Sequence, residues 1–323
     1  MTVRRTKSLG MILYVALLSL GLAGISLVQA ASRALPSGTW STWHKIPMVG
    51  KTDAAPFAIC YSGKLWLFTK GMVDGRIYLN TFDAYGWSGY SDVVGDITTT
   101  LPVGGNAYGN NLYLYASNSV THRLNIGCYI DGHWSCSFGE LSADTQYANF
   151  ATCALMYGQD ALLFLKGCCD TQIYWRDNMY GHDNNWYQVP GDFASDTAVN
   201  GCVWAGQLWL FDKRNSDNSA LFYSFNRNGS WLNSWGPVVN SVKTDVSAAT
   251  AVYKNSLFIF EKGKMNNRIY SLRSHDPSVN FWARAVVPGM LTKYALSAAV
   301  YNGKLYLFAI AGDQSVWYSV FSK

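Results

Sequence analysis

Long planar donors recur at one sequence offset in this chain. Arg76, Arg123, Gln172 and Arg268 each stand eleven residues after the start of a recurring apolar run. Two residues beyond three of them come Tyr78, Tyr174 and Tyr270, and the four units close on Trp87, Trp134, Trp186 and Trp282. An aromatic face suits the apolar side of a sugar ring, and planar charged or amide donors suit its hydroxyls. Together these residues describe a repeated pocket for a saccharide. The same columns have a plainer reading. Tyr and Trp would pack one unit against the next, and the Arg/Gln column would be a solvated strand end.

Groups for bond-breaking chemistry are scarce. The chain has 18 Asp but only two Glu, Glu140 and Glu261. Glycoside hydrolysis usually needs two carboxylates about 5–10 Å apart, and no sequence pattern pairs these two. Asp74, Asp170 and Asp217 fall in one turn column, where Asp bonds its local backbone. The five histidines share no column, and no G-x-S-x-G is present. No CxxC occurs, so neither a metal site nor a cofactor is expected. Cys128 and Cys136 flank the Asp131-Gly132 turn and are placed to bridge a hairpin. Seven cysteines are an odd number, so at least one thiol is free or pairs with another chain. The alternative is that most are small apolar core residues.

These columns come from a unit written six times. The run Gly63-Lys64-Leu65-Trp66-Leu67-Phe68 has counterparts at Leu112, Ala161, Leu208, Leu257 and Leu305, in steps of 47 to 49 residues. Four residues before each stand Tyr61, Tyr108, Tyr157, Trp204, Tyr253 and Tyr301. Three after each stand Phe68, Tyr115, Phe164, Phe211, Phe260 and Phe308. Aromatic and β-branched runs separated by Gly, Asn and Asp read as four short strands per unit. In the first unit they are expected at Pro56 to Tyr61, Lys64 to Thr69, Arg76 to Phe82, and from Gly86 onward. Four strands at this period are the mark of a propeller blade. A Thr column precedes the first strand at Thr52, Thr99, Thr145, Thr197, Thr244 and Thr292, where it would cap a turn or line a rim pocket.

The sixth unit ends after its third strand, with no closing Trp. Trp40-Ser41-Thr42-Trp43 matches the missing strand, so the N-terminal segment is expected to complete the last blade. The expected fold is all-β: one six-bladed β-propeller of four-stranded blades over 38–323, after a linker at 31–37. Residues 1–30 read as a signal peptide. Arg4, Arg5 and Lys7 precede the uncharged run Met11 to Val28, and Val28-Gln29-Ala30 is a small-x-small cleavage site. If the leader stays attached it serves as a membrane anchor. Either way the expected location is secreted, extracellular or periplasmic. Formal charge is +5, but only +2 beyond residue 30, where 22 bases face 20 acids. No basic stripe marks a nucleic-acid surface.

Three stretches carry a resemblance: Phe68 to Asp74, Phe164 to Asp170, and Trp40 to Trp43. They resemble the "F-x-x-G-x-D" turn and "W-S-x-W" strand of bacterial propeller lectins of the Photorhabdus lectin type. That resemblance implies a β-propeller that binds glycans or glycoconjugates at several weak repeated sites, without catalysis. It departs from the usual seven blades of that class. Six-bladed fucose lectins of fungi and Ralstonia place an Arg, a Glu and a Trp at each site, and two Glu cannot supply that column here. The alternative function is an exported scaffold that binds a protein partner on the propeller rim. A carbohydrate-active enzyme with a central-channel site comes third.

Overall fold

A computed structural model describes residues 38–322, apart from 48–49, 94–96, 142–149, 168–169, 178–184, 192, 217–220, 228, 233 and 278–281. The leader at 1–30 and linker at 31–37 lie outside the described residues, as do Thr145 and Asp217.

Six antiparallel sheets form the blades. In the first, Phe57–Tyr61 is innermost, followed outward by Lys64–Lys70 and Ile77–Asp83. The outer strand is split into Gly86–Trp87 and Ser91–Asp92, both paired to Ile77–Asp83. These bounds lie within a residue or two of the sequence expectation. The inner strands of the next five blades are Gly104–Tyr108, Cys153–Tyr157, Asn200–Trp204, Ala249–Tyr253 and Ser297–Tyr301. Each contacts its neighbours, and Ser297–Tyr301 meets Phe57–Tyr61, so the ring closes. All six interfaces are made within 38–322, which makes the ring a self-contained folding unit.

Second strands are apolar on both faces because blades stack face to face. Lys64–Lys70 is buried from Leu65 onward, and Ser256–Lys262 along its whole length. Inner strands instead carry small residues, since six blades crowd the axis. A Cβ at Gly104 would lie 1.8 Å from the Thr152 carbonyl oxygen of the next blade. Inner strands pair on one side only, so their other backbone edge faces a central cavity of about 450 Å³.

One aromatic contact recurs at the blade interfaces. A Trp of the outer strand meets the second-strand Phe of the preceding blade edge-on. The pairs are Phe68–Trp134, Phe164–Trp231, Phe211–Trp282 and Phe308–Trp87, with centroids 6.1–6.3 Å apart and planes at 79–89°. Between the second and third blades, Tyr115 and Trp186 share one cluster. The last pair is Phe260–Trp40, at 5.7 Å and 77°. Such edge-to-face pairs contribute about 0.5–1.5 kcal/mol beyond the area they bury.

Trp40 arrives from the far end of the chain. Thr39–Trp40 and His44–Lys45 both pair with Val316–Ser322 and complete the sixth blade. Ser41 reinforces the join, its amide donating to the Val320 carbonyl at 2.8 Å and its hydroxyl accepting from the Val320 amide at 3.0 Å.

The staple has a measurable weight. Trp282→Ala should cost roughly 3–5 kcal/mol in chemical denaturation, as for a fully buried Trp. Trp40→Ala should lower stability as well and release the Ser41 and Val320 amides to early hydrogen exchange. Unchanged protection of those amides in Trp40→Ala would show that closure does not rest on this pair.

Candidate functional site

The propeller has two unlike faces. The upper face carries the turns between first and second strands, such as Ser62-Gly63, and the ends near Phe82 and Trp87. The lower face carries the turns between second and third strands, such as Gly71 to Arg76. The expected sugar-pocket residues are divided between them. Arg76 and Tyr78 open a third strand at the lower face, while Trp87 pairs with Phe82 at its upper end. Four residues, about 13 Å at 3.3 Å each, separate Tyr78 from Phe82. The structure therefore does not bring Arg76 and Tyr78 together with Trp87. The same holds for Arg268 and Tyr270 against Trp282, and for Arg123 against Trp134. The third blade differs: Tyr174 pairs with Gln188 and Trp175 with Tyr187, leaving Trp186 two positions away beneath the Arg176 guanidinium.

Each column also has a structural task. Asp74 accepts the Arg76 amide at 3.1 Å and the Tyr78 hydroxyl at 2.5 Å. Asp170 does the same for Gln172 and Tyr174. Asn266 accepts the Arg268 amide at 3.1 Å and donates to the Tyr270 hydroxyl at 2.9 Å. Gly71 is needed because a Cβ there would sit 2.1 Å from Asp74 Oδ1. The Tyr78 hydrogen bond holds the Asp74 carboxyl below its ordinary range, and the bond to Asp170 pushes the Tyr174 phenol up to about 12. Gln172 Oε1 accepts from Gln188 Nε2 at 3.1 Å, and Arg123 pairs with Glu140. The Thr column caps turns: Thr52, Thr99, Thr244 and Thr292 each accept the amide two residues on. Lysines that end the second strands are buried and ion-paired, Lys70 with Asp53, Lys213 with Asp196 and Lys262 with Asp245.

Cys128 and Cys136 are register partners on adjacent strands of the second blade. The Cys136 side chain lies outside the described residues, so the bridge between them stays a proposal.

An open cleft lies elsewhere, on the upper face between the first and second blades. Its volume is about 640 Å³, within the usual range for small-molecule pockets. Tyr61, Trp66 and Tyr129 form its aromatic wall, with Trp66 and Tyr129 at 4.9 Å and 66°. Thr81, Ser88 and Ser91 supply hydroxyls, and Lys64 and Asp131 add charge to the lining. Thr81 and Ser88 are joined hydroxyl to hydroxyl at 3.0 Å, and Lys64 pairs with Asp83 at 3.0 Å. The wall is held from both sides, because the Tyr61 hydroxyl donates to the Asn110 carbonyl of the second blade. Tyr157 and Trp204 repeat that link to Gly206 and Asn255.

What opens this cleft is the residue opposite Trp66 on the third strand. Here it is Thr81. In the fourth blade Phe225 takes that place and packs on Trp209 at 4.7 Å. In the fifth, Arg273 lies over Phe258 and Phe321 at 5.5 and 4.9 Å. Small size at Thr81, Ser88 and Ser91 was not a column, so alignment of the repeats did not single these residues out. The place of Thr81 holds Cys128, Asp177 and Val320 in the second, third and sixth blades, so side-chain size along the repeats does not by itself mark Thr81.

The buried carboxylates Glu261 and Asp212 do not line this cleft. Glu261 is fully buried, accepts the Val242 amide at 3.0 Å, and is pushed up to about 8 by burial. Asp212, equally buried, accepts from the Thr197 hydroxyl at 2.8 Å and is pushed up to about 7 by burial. Their folded pKa values exceed the unfolded values of about 4. The stability they contribute is thus fully present below about pH 4 and is lost as pH rises through about 7 to 8. Glu261→Gln should therefore raise Tm by several degrees above pH 8 and change it little at pH 5. Equal shifts at both pH values would contradict this assignment.

No family model and no curated protein matches the sequence. Solved structures do. AofleA from Arthrobotrys oligospora superposes with a TM-score of 0.63 at 14% identity, over 88% of this chain and 87% of that one. A lectin of Aleuria aurantia in complex with α-methyl-L-fucoside gives 0.64 at 14% identity, over 89% and 94%. A Trypanosoma rangeli sialidase bound to the inhibitor DANA gives 0.57 at 9% identity, over 84% of this chain and 55% of that one. At these identities the likeness is one of fold, and that fold is the six-bladed β-propeller.

Proposed function

We propose that this protein is an exported carbohydrate-binding propeller that takes a saccharide in the cleft between its first and second blades. The cleft carries the reading: an aromatic wall of Tyr61, Trp66 and Tyr129 faces the hydroxyls of Thr81, Ser88 and Ser91. A sugar ring has the same division, with an apolar C–H face and a hydroxyl edge. The fucoside-bound Aleuria aurantia lectin, built on the same fold, supports the reading. The bulk of Phe225 and Arg273 in the corresponding places points to fewer sites than blades. Binding at one such site is weak, and strong retention on a surface needs several sites or several copies of the protein.

A glycan array probed with residues 31–323 tests this. Binding to a related set of sugars is expected, and Tyr129→Ala should weaken it by roughly tenfold, the loss of about one aromatic contact. Arg268→Ala, on the lower face, should leave it unchanged. A blank array with a folded protein would move the function to a protein partner. Loss of binding in Arg268→Ala but not in Tyr129→Ala would move the sugar to the lower face.

A further inference from the structure

We infer that the lower face docks on an anionic lipid bilayer, with the tips of its turns entering the interface. Six of the eleven large apolar side chains exposed among the described residues lie on this one face: Met72, Val73, Val120, Val239, Met265 and Leu291. Val73, Val120 and Met265 occupy the same position in the turns of three blades. Their exposures of 99%, 81% and 90% mean that the propeller itself covers almost none of their surface. A turn tip needs polar residues for its geometry, and Asp74 and Asn266 supply that beside Val73 and Met265. The apolar side chains next to them do nothing for the turn.

Charge identifies the partner. The Met72 amide donates to the Lys51 carbonyl at 2.9 Å, and the Lys264 amide to the Lys243 carbonyl at 2.7 Å. Exposed Lys51, Lys243, Lys264 and Arg268 thus flank the apolar tips. Among the described residues the acids of this face have partners: Asp53, Asp196 and Asp245 each neutralise a buried lysine, Asp74 and Asp170 hold Tyr78 and Tyr174, and Glu140 and Asp313 pair with Arg123 and Lys45. Isolated apolar tips ringed by bases suit a surface that is fluid, apolar just beneath and negative on top. A protein partner would instead call for a contiguous apolar patch with matching relief. The cleft lies on the opposite face, so a docked propeller would present it away from the bilayer.

Co-sedimentation of residues 31–323 with phosphatidylcholine vesicles, with and without phosphatidylglycerol, tests the inference. These vesicles carry no sugar, so the result is independent of the cleft. Binding is expected only to the vesicles with phosphatidylglycerol and should weaken with salt. The double variant Val73→Asp/Met265→Asp should lose roughly a hundredfold in partitioning, about tenfold per tip. Lys51→Glu/Lys264→Glu should lose about tenfold or more. Tyr85→Asp, which changes an equally exposed side chain on the upper face, should bind as the unaltered protein does. No binding to anionic vesicles, equal binding to neutral ones, or unchanged binding by the tip variant would each overturn the proposal.

Discussion

An edge-to-face contact between a second-strand Phe and a Trp of the following blade joins five of the six blade interfaces, and the rest of the molecule depends on it. A single blade of four short strands cannot bury both faces of its middle strands. Stacking does that, and the Phe–Trp pair fixes the depth and angle at which two blades meet. The ring can close only if the last blade has such a Trp. The sixth repeat lacks one, and Trp40 brings it from the start of the ring. Closure also gathers the inner sheet edges around the axis, where they are short and sheltered from pairing with other chains.

Once the aromatics near the interfaces are committed to packing, the polar residues of the repeat are free to shape turns. The Gly71–Asp74–Tyr78 arrangement and its counterparts make the lower turns, and the buried Lys70–Asp53 type of pair ties the second strand to the segment entering the blade. A site appears where the packing rule is relaxed. Thr81 leaves the space that Phe225 and Arg273 occupy in other blades, so the aromatic wall of Tyr61, Trp66 and Tyr129 faces an opening.

Much of the fold is legible in the sequence because repetition is itself a physical signal. Six units with matching aromatic columns give the blade number, the strand bounds and the closing role of Trp40. The candidate site is less legible. An alignment of columns records offsets along the chain, not which end of a strand a residue occupies. Arg76, Tyr78 and Trp87 look like neighbours in sequence, but a strand of ordinary rise carries Trp87 to the other face. Trp87, Trp134 and Trp282 could be read as ligand platforms or as packing, and their Phe partners on the preceding blade decide for packing. The cleft is hidden for another reason: the place of Thr81 holds Cys128, Asp177, Phe225, Arg273 and Val320 in the other blades, so it forms no column, and a repeat search rewards residues that do. The exposed Val73 and Met265 look like ordinary members of apolar composition until burial is known.

The central claim is that a sugar sits where the packing is relaxed. The most direct measurement is a crystal structure of the propeller with a saccharide selected for binding. The account predicts density between the first and second blades, with the ring of the sugar against Tyr129 and its hydroxyls toward Thr81 and Ser88. A saccharide bound in the central cavity, or beside Arg76 and Arg268 on the opposite face, would contradict it.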